Sequence, residues 1–133
     1  MTAGVAEDMP AFTLSVVILA SIFVAAGALH FLIPNVYVRM MPAWLPAHRS
    51  LVLVSGAFEI LGGIGLLVPQ LRVAAGWGLI ALLIAVFPAN IQMLQTAIER
   101  GQSLGWRLAL IARLPLQPML MYWVYQSAVR FGK

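Results

Sequence analysis

Six polar residues stand inside long apolar runs, and their types allow chemistry: His30, Ser55, Glu59, Asn90, Arg113 and Gln117. Glu59 falls near the middle of its run, and Arg113 about two turns into another. A charged side chain at the centre of a membrane helix costs roughly 2.5–3.5 kcal/mol on the insertion scale. Glu is too short to reach the interface, and an apolar stretch follows Arg113. The cheapest arrangement turns both inward and pairs them, directly or through another polar group. Such a pair is either a functional site or a purely structural tie between helices. His30 becomes a proton-transfer partner if it lies near Glu59, because its charge changes near neutral pH. His30 and Glu59 are thus the catalytic candidates, and all six residues are candidate ligand contacts.

The elements that must carry these residues follow from composition. Of 133 residues, 62% are hydrophobic and only 9% are charged. A soluble domain is nearer 25% charged, so a water-soluble globular fold and a disordered chain are both excluded. Four apolar stretches, roughly 11–33, 50–69, 72–95 and 107–129, are each long enough to cross a bilayer. They lack the dyad alternation of a membrane barrel. The expected fold is all-α: one domain over 1–133, an integral membrane four-helix transmembrane bundle with up-down topology. The segment 35–49 mixes Tyr37, Trp44 and two Arg, and reads as an interfacial piece with a helical turn after Pro34. The first ten residues carry Glu7, Asp8 and no Lys or Arg, unlike a cleaved signal peptide.

Other features exclude chemistry. There is no cysteine, so disulfides, thiolate metal sites and thiol redox pairs are out. Two His, one of them loop residue His48, make no metal set. The basic residues are scattered singly and suit membrane edges rather than nucleic acid. Let face A be the side where the first span begins, and face B the side it reaches. Arg72, Arg130 and Lys133 then fall at face A, and Arg39, Arg49, Arg100 and Arg107 at face B. Three against four fixes no orientation.

Placed by depth, the six polar residues all fall in the half toward face B. The face A half holds little beyond the hydroxyls of Thr13 and Ser15. This segregation predicts a one-sided polar cavity, open toward face B or covered by 35–49. Pro88, Pro115 and Pro118 each free a backbone carbonyl one turn back, near the donors Arg113 and Gln117. Gly56, Gly62, Gly63 and Gly65 allow close helix packing in the second span. ALHFLIPN and AVFPAN end the first and third spans similarly, which leaves two repeated hairpins open.

These residues carry a resemblance. GALHFLIP (27–34), the loop prolines Pro42 and Pro46, SGAFEILGGIGLLVP (55–69) with Arg72, VFPAN (86–90) and RLPLQ (113–117) resemble the DoxX-like family of small four-helix bacterial membrane proteins. The resemblance covers nearly the whole chain after the acidic N-terminus. It implies a multi-pass protein of the bacterial plasma membrane, and an accessory subunit of a redox assembly, quinone-linked or engaged in oxidative stress. It implies membrane lipid, a quinone and other redox subunits as partners, with no covalent cofactor and no metal. Self-association stays open. So do three other functions: a membrane enzyme doing acid–base chemistry on an amphipathic substrate, a small transporter and a structural scaffold.

Overall fold

The computed structural model describes residues 2–41 and 43–130, and the side chains of all these except 2–13 and 40. The readings placed on Glu7, Asp8, Thr13, Pro42 and Lys133 lie outside that description. The described chain is helical, with no strand. Four long helices and one short one run in the order α1 (Thr2–Leu32), α2 (Pro34–Met40), α3 (His48–Leu67), α4 (Arg72–Glu99) and α5 (Leu104–Val124); a π-helical segment, Tyr125–Arg130, continues α5.

Three stretches are long and apolar enough to cross a membrane: Leu14–Leu32, His48–Leu67 and Arg72–Glu99. Their outward residues are large and apolar, among them Ile22, Leu61 and Ile84, as lipid contact requires. Helix α5 is similar in length to α3, but Arg107, Arg113, Gln117 and its two prolines make it less apolar. Helix α1 begins at Thr2 rather than near 11. The apolar run marks where hydrocarbon would start, not where helical backbone does.

The helix ends follow from local chemistry. Pro34 lacks an N–H, so α1 stops and α2 restarts with Pro at its first position. The helical turn expected after Pro34 is thus a full short helix. The α3–α4 turn is tight, and Arg72 Nε donates to Leu66 O at 2.7 Å, satisfying a carbonyl at the end of α3. Helix α4 ends where Gly101 takes φ +62°. There Gln102 N donates to Ala97 O at 3.0 Å and Gly101 N to Ile98 O at 3.2 Å, a Schellman motif. Ser103 caps α5 by accepting from Trp106 N at 3.3 Å.

Neighbours in sequence pack together: α1 on α3, α3 on α4, α4 on α5, and the π-helical segment on α4 and α1. Contact between α1 and α3 is the most extensive, and glycine makes it close. A Cβ on Gly27 would stand 2.6 Å from Gly56 O, and one on Gly56 would stand 2.5 Å from His30 Cβ. The main core lies toward face A: Val16, Leu19 and Phe23 meet Leu66, Leu79, Leu83, Val124 and Ala128. Trp123 Nε1 donates to Ser15 Oγ at 3.1 Å and ties the end of α5 to α1. A smaller cluster of Met93, Ala97 and Leu110 joins α4 to α5 toward face B.

Gly56→Ala should lower the midpoint of thermal unfolding in detergent, by an amount matching about 1–3 kcal/mol of overpacking. Gly78→Ala, where a Cβ would meet nothing within 4 Å, should leave the midpoint unchanged or raise it slightly.

Candidate functional site

A cavity of about 440 Å³ opens in the face B half. Its wall is mostly apolar, from Val52 and Phe58 on α3 and Leu82, Val86 and Met93 on α4. Five of the six polar residues singled out in the sequence line it: His30, Ser55, Glu59, Asn90 and Arg113. They come from α1, α3, α4 and α5, and so from every long helix.

His30 and Glu59 are in contact, with His30 Nδ1 3.2 Å from Glu59 Oε2. Nδ1 also lies 2.8 Å from Ala26 O. A carbonyl only accepts, so this contact puts the proton on Nδ1 and, in the neutral ring, leaves Nε2 as acceptor. The imidazole is stacked on Tyr37 of α2, with ring centroids 4.0 Å apart and planes 16° from parallel. Three elements therefore fix His30: its own helix through Ala26, α3 through Glu59, and α2 through Tyr37. Burial pushes the Tyr37 phenol above its usual range, against the opposing charge of Arg113.

Direct pairing of Glu59 with Arg113 does not occur. Among the described residues, Glu59 has its close polar contact with His30 instead. Arg113 lines the cavity but is exposed. The close α1–α3 packing brings His30 onto Glu59, whereas α5 packs mainly on α4.

Gln117 is not part of the cavity wall. It is 5% exposed, and its Nε2 donates to Leu83 O at 3.4 Å. Leu83 immediately precedes Ile84, whose carbonyl lacks its usual helical donor because Pro88 has no N–H. The amide thus serves the α4 backbone beside the proline. The face A half also holds polar groups that the depth reading passed over: Ser127 is buried, and Gln126 Nε2 donates to Tyr122 OH at 2.5 Å.

Two buried polar atoms in the cavity wall have no hydrogen-bond partner, Glu59 Oε2 and Asn90 Nδ2. One opening leads to them. Val54, Phe58 and Ala85 line the cavity yet remain exposed, so it opens sideways between α3 and α4. On the other side a larger polar cavity, about 780 Å³, adjoins it through the shared residues Met41 and Met93. Arg39, Gln92, Glu99 and Arg100 line that outer space at face B.

Sequence reasoning missed Tyr37 and the exposed rim. Tyr37 lies seven residues after His30, a spacing that shares a face across two helical turns, but the break at Pro34 hides it. The rim residues are ordinary apolar positions with no polar signature.

Residues 19–128 match a family described as Domain of unknown function (DUF8561). The chain belongs to this family. Every residue of the cavity wall falls inside the matched segment. No curated protein and no solved structure matches the chain.

Double-mutant cycles on thermal stability should show Glu59 coupled to His30 by about 1 kcal/mol and more weakly to Arg113. A larger coupling to Arg113 would contradict this geometry.

Proposed function

We propose that the chain is a multi-pass membrane protein whose cavity takes a lipid-like molecule from the bilayer. The observation that carries this reading is the sideways opening at Val54, Phe58 and Ala85, leading to an apolar space with a polar wall at His30, Glu59, Asn90 and Arg113. A water-soluble ligand has no use for an apolar side entrance. An amphipathic one fits it, with its body among the apolar residues and its polar group at the interior.

In this reading α5 and its π-helical extension are the fourth crossing. Support comes from the packing of α5 along α4 and from the burial of Val124, Ser127, Ala128 and Val129 against the core. Up-down connectivity then follows from the short turns. The resemblance to DoxX-like proteins supports the wider role: an accessory subunit of a redox assembly in the bacterial inner membrane, with a quinone or related lipid as the molecule bound. Arg113 and Asn90 then donate hydrogen bonds to it, and Glu59 with His30 handles a proton.

The 3.2 Å contact between His30 and Glu59 favours a second reading, an enzyme doing acid–base chemistry on an amphipathic substrate. The two readings share the cavity and differ only in turnover.

Mass spectrometry of protein purified from membranes should find a lipid-like molecule in stoichiometric amount. Ala85→Trp, which fills the side entrance from an exposed position, should cut the bound amount at least ten-fold while the protein stays folded. Equal lipid content in both proteins would refute a ligand held in this cavity.

A further inference from the structure

The unpartnered atoms of the cavity wall specify the polar group of its ligand. Asn90 is only 6% exposed, and its Nδ2, a donor, has no partner. Glu59 Oε2 is buried and likewise unsatisfied. The neighbouring imidazole cannot satisfy it, because the Nδ1 proton is directed to Ala26 O at 2.8 Å. His30 Nε2 is then a second acceptor rather than a donor. The two unpartnered atoms of the wall are therefore an amide donor and a carboxyl acceptor, with Ser55, Tyr37 and Arg113 as further donors in the lining. With Glu59 ionised, both of its oxygens only accept.

An unsatisfied polar atom in a low-dielectric wall is costly, and a ligand that satisfies it gains that cost back. A carbonyl or ether oxygen can accept from Asn90 Nδ2 but leaves Glu59 Oε2 unpaired. A hydroxyl does both, because it carries one proton and two lone pairs. We infer that the cavity selects amphiphiles bearing a hydroxyl group, alcohols or phenols, over matched molecules whose polar group only accepts. This rests on the cavity being a lipid-ligand site, and it sharpens that reading by naming the polar group. For a redox carrier of the quinone type, the hydroxyl-bearing reduced form is the one retained.

The probes are 4-decylphenol and its methyl ether, nearly equal in shape and differing by the one donor proton. Equimolar amounts compete for the purified full chain in detergent, and native mass spectrometry reads the bound ratio. The phenol should exceed the ether by about ten-fold or more. Glu59→Leu should bring the ratio close to one. Asn90→Leu should weaken both probes and leave the ratio above about five, because the donor serves both oxygens alike. Ala85→Trp should exclude both. The wild-type ratio needs no variant, so it decides the matter even if Glu59→Leu does not fold. Equal binding of the two probes, both excluded by Ala85→Trp, would overturn the selection for hydroxyl and leave the lipid-binding cavity standing. Binding of neither probe above the Ala85→Trp level would overturn the cavity reading, and the selection with it.

Discussion

The contact of α1 with α3 at Gly27 and Gly56 is the constraint from which the site follows. Each glycine faces the other helix's backbone: a Cβ on Gly27 would meet Gly56 O, and one on Gly56 would meet Gly27 O at 2.9 Å. Without side chains between them the helices approach far more closely than Leu or Ile would permit. His30 sits beside Gly56, and Glu59 lies one turn further along α3. The 3.2 Å contact of imidazole and carboxyl is therefore set by glycine. Once the backbones are this close, His30 Nδ1 can reach both Ala26 O and Glu59.

The same reasoning explains why one half of the molecule is packed and the other hollow. Glycines along α3 change partner with depth. Gly62 and Gly65 press on Leu79 and Ala75 of α4, while Gly63 presses on Ala20 and Val24 of α1. Near face A, α3 is thus held tightly on both sides, and the main core fills that level. Toward face B, Gly56 faces α1 alone. There the cavity lies between α3 and α4, lined by residues of both. Short α2 and the segment after it close its outer end, with Tyr37 stacked on His30.

Much of this was legible in the sequence, and the failures have physical causes. Of the four spans expected from the apolar runs, three are long and apolar enough to cross a membrane, and of the six polar residues singled out by their expense in hydrocarbon, His30, Ser55, Glu59, Asn90 and Arg113 share one cavity. Cost and depth say that a buried charge needs a partner, but not which one. Opposite formal charge suggested Arg113, whereas helix proximity delivered His30. Gln117 is expensive for the same reason as the others, yet it bonds the Leu83 carbonyl on the neighbouring α4. A spacing argument within one helix cannot see that bond. The π-helical turn at Tyr125–Arg130 has no sequence signal in composition or period; it places Ser127, Ala128 and Val129 inward together, which a regular 3.6-residue turn would not.

In a bilayer, a polar atom left without a partner has no water to fall back on. Glu59 Oε2 and Asn90 Nδ2 are such atoms, and they line a space of about 440 Å³ that opens sideways between α3 and α4. The rim at Val54, Phe58 and Ala85 faces the lipid side, and Met41 and Met93 adjoin the polar outer cavity with Arg39 and Arg100. Methionine side chains are flexible and form a soft boundary between the two spaces. A purely structural polar cluster would be closed, with each atom satisfied by its neighbours. This one opens sideways and has two unsatisfied atoms in its wall. In the reading we propose, an amphipathic molecule arriving from lipid completes these hydrogen bonds by presenting a polar group to Glu59 and Asn90.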